Sequence, residues 1–186
     1  MKQRYPRQLA IEVANELRPY LEPVTCRLAC AGSLRRGKPE VGDLELLYIP
    51  KVETVRDGLF DTRKVDLTEA VLAKLLNKGI LAKRPNKNGH YAWGVHNKLA
   101  LHVASGLPVD LFSTTAEKWF VSLVVRTGPA ELNVLLCESA IKKGLKLHAY
   151  GEGFTDRNGN SIPVVSEEDL FEKCGLEYKL PKDRRV

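Results

Sequence analysis

Between Arg7 and Leu21 the apolar residues Leu9, Ile11, Val13, Ala14, Leu17 and Leu21 recur at near-helical spacing, and Pro19 stands close to the expected end of that helix. The pattern then turns strand-like. VTCRLACAG and DLELLYIP flank a polar Gly/Pro-bearing loop, SLRRGKPEVG, and read as neighbours in one sheet. VDLTEAVLAKLLNKGILAKRP predicts a second helix, with Asp66 or Thr68 as N-cap and Gly79 as its stop. KNGHYAWGVHNKLALHVASGLPVDLFST predicts two or three strands, with SGLP as the turn between the last two. From TAEKWFVSL onward the pattern is helical, broken at Gly128-Pro129. The tail predicts a small hairpin turning at RNGN and a short helix, SEEDLFEKCG, capped by Ser166. The expected fold is therefore α+β. A mixed β-sheet domain with flanking helices occupies residues 1–115, and a small, mainly helical subdomain with a short hairpin occupies 116–186.

Composition narrows the partners. With 29 Lys+Arg against 23 Asp+Glu the chain carries a formal charge of +6, a modest excess that suits a polyanion without demanding one. No apolar run approaches the ~20 residues of a membrane span, and the charged N-terminus lacks the apolar core of a signal peptide. The expectation is a cytoplasmic monomer with no membrane partner. Cys26, Cys30, Cys137 and Cys174 include no CxxC pair, so Cys26 and Cys30 read as buried thiols on one strand face. His90, His96, His102 and His148 show no ligand spacing.

The stretch AGSLRRGKPEVGDLELLYIP concentrates the chemistry. On a strand, Asp43 and Glu45 project to the same side. Two like charges side by side raise each other's proton affinity unless a cation neutralises them, and hard oxygen donors select Mg²⁺ or Mn²⁺. Asp110, in VDLF on a candidate neighbouring strand, would complete a trio able to hold two ions. Gly32-Ser33 would let backbone N–H groups and a hydroxyl approach a phosphate, and Arg35 and Arg36 would supply positive charge for its oxygens. Taken alone, an Asp-x-Glu on a strand is most often a solvated face. The whole string, with each part meeting a different need of phosphate-and-metal chemistry, favours the functional reading.

Gly-Ser, nine residues, Asp-x-Glu and a later apolar-Asp-apolar strand resemble the signature of the nucleotidyltransferases. GSLRRG…GDLEL is especially similar to the DNA polymerase beta family (family X). RTGPAELNV resembles that family's segment at the palm–thumb junction, and SIPVVSEEDLF…EYKLPKDR its thumb. The resemblance implies a nucleotidyltransferase palm and a thumb-like subdomain, without the amino-terminal lyase domain. It implies that Asp43, Glu45 and Asp110 bind two Mg²⁺, with Mn²⁺ able to substitute, and that Asp110 accepts the proton of an attacking 3′-hydroxyl. Ser33, Arg36 and Gly42, with Gly32, would hold the phosphates of an NTP or dNTP. Gly128 and Asn133 would line its sugar and minor-groove edge. Lys142, Lys143 and Lys146 suit a helix C-terminus by charge alone, and in a thumb they would meet duplex phosphates. Lys83, Arg84, Lys87 and Lys98 flank a Gly/Asn-rich hairpin and could track a strand. Trp119 and Phe120 are expected in the palm–thumb seam.

Departures from the family pattern bear on specificity. Glu45 replaces an aspartate, Val125 and Arg126 replace paired aromatics, Ala130 an acidic residue, Cys137 an arginine toward the template, and Pro108 an arginine before the last aspartate. The expected activity is transfer of a nucleoside monophosphate to a DNA 3′ end, primer-template or gapped, with release of pyrophosphate. The same chemistry on RNA or tRNA ends, a protein or a small molecule is the first rival. A DNA-binding module that has lost catalysis is the second.

Overall fold

A computed structural model describes residues 3–58, 61–148 and 153–184. A two-residue strand, β1 (Tyr5–Pro6), leads into α1 (Arg7–Leu21), whose span matches its apolar spacing. There follow β2 (Thr25–Cys30), the short α2 (Gly32–Arg35), β3 (Glu40–Val41) and β4 (Leu44–Pro50). Strands β5 (Val52–Asp57) and β6 (Asp61–Asp66) form a hairpin ahead of α3 (Leu67–Asn77). Next come β7 (Leu81–Lys83), β8 (Asn97–His102) and β9 (Pro108–Ser113). The remainder comprises α4 (Trp119–Thr127), α5 (Ala130–Lys142), β10 (Lys146–His148), β11 (Gly153–Thr155) and α6 (Glu167–Cys174).

The central sheet has the order β2-β4-β9-β8-β7, with β4 and β9 parallel and the other pairs antiparallel, so it is mixed, as expected. Strand alternation assigns its two faces different work. Leu44, Leu46 and Tyr48 of β4, with Val109 and Leu111 of β9, enter a core with Ala10, Val13 and Leu17 of α1 and Leu72 and Leu75 of α3. On the other face, Leu47 and Phe112 pack under Trp119 and Leu123 of α4. The carboxylates of Glu45 and Asp110 belong to this second face, one strand step from the α4 contact. Helix α4 thus covers one end of the face and leaves the acidic end open.

Local chemistry explains the boundaries. Asp66 caps α3 by accepting from Thr68 N–H at 2.8 Å, and Ser166 caps α6 by accepting from Asp169 N–H at 3.0 Å. Trp119 is buried in the seam between sheet and α4, with Phe120 beside it, and Arg27 of the edge strand lies 4.7 Å over the Trp119 ring. A separate core, with Val124, Leu132, Leu136, Phe154, Leu170 and Phe171, holds α4, α5, α6 and the β10–β11 pair together.

Some expectations change. Beyond Gly79, the expected stop of the second helix, residues 81–83 form an edge strand, and β5 and β6, which were not expected, pair antiparallel. The tail hairpin is β10–β11; its connection lies outside the described residues. RNGN turns the chain back after β11, where Asp156 N–H donates to Asn160 C=O and Thr155 bridges Ser161. Cys26 is exposed rather than buried, because β2 carries an irregularity between Thr25 and Arg27 that breaks the alternation. Lys98 is buried at 1% exposure, bound to Glu69 at 2.7 Å and Gly94 C=O at 2.8 Å, so it tracks no strand of nucleic acid.

Candidate active site

The site starts from a glycine. Gly32 opens α2 at φ +60°, and a Cβ there would stand 2.4 Å from Glu45 Oε2. The neighbouring Ala31 N–H donates to Glu45 C=O at 2.8 Å, so the Gly-Ser loop is fastened to the acidic strand. Only a residue without a side chain lets the Glu45 carboxylate lie against the loop backbone. Glu45 Oε2 is buried there and, among the described residues, has no hydrogen-bond partner. Burial, then the charges of Asp43 and Asp110, push the Glu45 carboxyl up to about 7, against the opposing pull of Arg126 and Arg36.

Glu45 and Asp110 are direct register partners on parallel β4 and β9, and Asp43 lies two residues before Glu45. The fold therefore brings all three acidic positions to one end of one sheet face. Their side chains, however, do not already form a metal cage. Among the described residues no group of three or more His, Cys, Asp or Glu is arranged to hold a metal ion. Asp110 Oδ1 accepts instead from Arg84 Nη2.

A cavity of about 410 Å³ opens beside the carboxylates. It is lined by the expected residues Gly32, Ser33, Arg36, Gly42, Asp43, Glu45, Gly128 and Asn133. Arg4, Val125, Arg126, Pro129, Ala130 and Glu131 complete the wall. Asp110 is not part of that lining, and neither are Lys142, Lys143 and Lys146, which are exposed around the end of α5. Arg36 donates through Nη1 to Thr127 C=O, which holds its guanidinium at the rim; its Nε is buried without a partner among the described residues. Burial lowers the Arg36 pKa from its ordinary value, opposed by the nearby Glu45 and Glu131. Asn133 Nδ2 donates to Val125 C=O at 2.8 Å, while its Oδ1 is buried without a partner among the described residues.

Arg35, expected beside Arg36 as a phosphate cation, turns the other way. It donates to Thr127 Oγ1 at 2.8 Å and Glu167 Oε1 at 2.7 Å, and the buried Arg184 donates to Glu167 Oε2 at 2.6 Å. The adjacent arginines thus divide their work: Arg36 faces the cavity and Arg35 ties the loop to α6. Two cations at the carboxylates were not legible as such. Arg126 stacks 3.5 Å over the Phe112 ring and lowers the Glu45 proton affinity, and Arg84 holds Asp110. The replacement of an aromatic by Arg126 was visible in the sequence; Arg84 stood only among the hairpin cations.

A mixed sheet carries the carboxylates beside a Gly-Ser loop and is joined to a helical unit. The crystal structure titled Leishmania infantum polymerase beta, ternary P/T complex, has this fold, with a TM-score of 0.78 at 19% identity over 99% of this chain and 77% of that one. Residues 122–185 match the family model described as DNA polymerase beta thumb. Rat DNA polymerase lambda is 25% identical over 192 residues, covering 97% of this chain but 33% of the relative, so the chain spans about a third of that protein's length. Repair DNA polymerase X of African swine fever virus (isolate Pig/Kenya/KEN-50/1950) is 24% identical over 178 residues, covering 95% of this chain and 90% of the relative. In fold the chain is similar to that polymerase beta structure, and its residues 122–185 are similar in sequence to the polymerase beta thumb. No described helix is long and apolar enough to cross a membrane.

Proposed function

We propose that the chain is a metal-dependent nucleotidyltransferase that adds nucleoside monophosphates from a dNTP or NTP to a DNA 3′-hydroxyl and releases pyrophosphate, in the manner of a small gap-filling polymerase. The observation that carries this is the state of Glu45. Its carboxylate is held against Gly32, lacks a hydrogen-bond partner at Oε2 among the described residues, and has a proton affinity raised by burial and then by two further carboxylates, at the edge of a cavity that Arg4, Arg36 and Arg126 also line. Such a cluster is costly to ionise without a cation, and its oxygen-only donor set suits Mg²⁺ or Mn²⁺. Asp43, Glu45 and Asp110 would hold the ions, with Asp110 released from or shared with Arg84. Bound there, two ions supply charge neutralisation at the attacking and leaving oxygens.

The chain's own residues do the rest. Arg36 and Ser33 hold the β- and γ-phosphates, with the backbone of Gly32 and Gly42 close enough to approach their oxygens. Gly128 and Asn133 flank the sugar and base. Asp110 accepts the proton from the 3′-hydroxyl. Rate enhancement comes mostly from fixing these groups before the substrate arrives.

Primer extension on gapped DNA with each dNTP and NTP, in Mg²⁺ and in Mn²⁺, tests the reading. The parent should extend the primer, and Asp43→Asn should lose about 10²–10³-fold or more in rate while keeping its melting temperature within a few degrees. Full activity of Asp43→Asn would end the assignment. One observation favours a second acceptor. Asn133 commits its amide donor to Val125 C=O, which leaves less of it for the base edge that a template-checking enzyme would probe. Labelled NTPs offered with RNA, tRNA or protein in the same assay separate the two.

A further inference from the structure

Asp110 is held from the side, by a residue three strands away from Glu45. Glu45, Asp110 and Leu99 stand in one cross-strand row, since Glu45 pairs Asp110 and Asp110 pairs Leu99. Arg84, just past β7, extends the row, its N–H donating to Leu99 C=O at 3.0 Å. From there its side chain reaches back across Leu99. Nε donates to Ala100 C=O at 3.1 Å and Nη2 to Asp110 Oδ1. Both side chains are largely buried, with 25% and 13% of their surfaces exposed. A guanidinium pinned at one nitrogen by a strand carbonyl and at another by a carboxylate has a set orientation, which a lysine with one ammonium cannot copy.

We propose that Arg84 is a positioning residue for Asp110: before cations bind, it holds this carboxylate apart from Glu45 and Asp43, and during transfer it fixes the orientation in which Asp110 meets the acceptor hydroxyl. The proposal rests on the nucleotidyl-transfer reading, and it makes two readouts move in opposite directions. Without Arg84, the carboxylate loses its set orientation and transfer slows, yet the acidic cluster loses a competing cation and takes up metal more readily.

The test compares the parent with Arg84→Gln and Arg84→Lys. Mn²⁺ alone is titrated by electron paramagnetic resonance without nucleotide or DNA, and single-nucleotide incorporation is followed on gapped DNA. Arg84→Gln should bind Mn²⁺ about fivefold more tightly, the effect of one unit charge at close range in a hydrated setting. Its maximal incorporation rate should fall about 10- to 100-fold, the usual penalty for losing a partner that orients a metal-site ligand, with nucleotide KM unchanged. Arg84→Lys should stay near the parent in Mn²⁺ affinity but lose rate, because the charge remains and the two-point hold does not. Parallel loss of metal affinity and rate would mark Arg84 as merely structural and overturn the proposal, as would an unchanged rate or a loss confined to KM. If the parent transfers nothing to any acceptor, the nucleotidyl-transfer reading fails while the Mn²⁺ comparison still stands; tighter binding by Arg84→Gln keeps the counter-ion role, and unchanged or weaker binding removes it.

Discussion

Glu45→Gln in metal-free protein isolates an acid of the site that burial and like charge perturb strongly. The Glu45 carboxyl stands at about 7 in the folded protein against 4.5 for the unfolded chain. Between those values the unfolded chain has lost the proton that the folded chain still binds, so stability falls as pH rises from 4.5 to 7 and levels off above. The gap of 7 − 4.5 = 2.5 units, at about 1.4 kcal/mol per unit, gives a ceiling of about 3–4 kcal/mol. The glutamine of the variant cannot ionise, so that protein lacks the slope, while the histidines and the acids outside the cluster act in both proteins and cancel in the difference. Urea unfolding in chelator between pH 4.5 and 8 should show the parent losing up to about 3–4 kcal/mol more than Glu45→Gln across the interval. Mn²⁺ added at pH 8 should restore stability to the parent more than to the variant, since a ligand that binds only the folded state stabilises it by mass action. Parallel pH profiles, or a parent that gains stability over this range relative to the variant, would refute the argument that Glu45 is an unneutralised member of an acidic cluster.

Two further changes probe the frame around it. Gly32→Ala places a methyl 2.4 Å from Glu45 Oε2 in a left-handed backbone conformation. The glutamate's flexible end can yield, so the cost in unfolding free energy should stay at about 1–2 kcal/mol, while primer extension falls more than about tenfold because the displaced group is the carboxylate itself. Glu167→Ala strands the guanidiniums of Arg35 and Arg184, the second of them 1% exposed. Removing one partner from a buried ionic cluster costs about 3–5 kcal/mol, and urea unfolding should register it, whereas a loss below about 1 kcal/mol would mean that the two arginines find other partners.

Much of the molecule follows from short-range rules that the chain carries on its face. The α1 span, the Asp66 and Ser166 caps, the break at Gly128-Pro129 and the shared side of Asp43 and Glu45 depend on periodicity, capping and backbone freedom within a few residues. The acidic motif and its Gly-Ser loop were legible for the same reason, since one turn and one strand place them. What lay beyond reach were the contacts made across strands and between the two cores. Arg35 and Arg36 are adjacent and chemically identical, and only the position of α6 sends one to Glu167 and the other to the cavity rim. Lys98 and Arg84 both looked like surface cations of one hairpin. Burial under α3 makes the first a structural ion pair, and the row Glu45-Asp110-Leu99-Arg84 brings the second to the carboxylates. Spacing along a chain determines which side of a strand a residue occupies; which charge it meets there depends on strand order, and strand order is settled by the packing of the whole sheet.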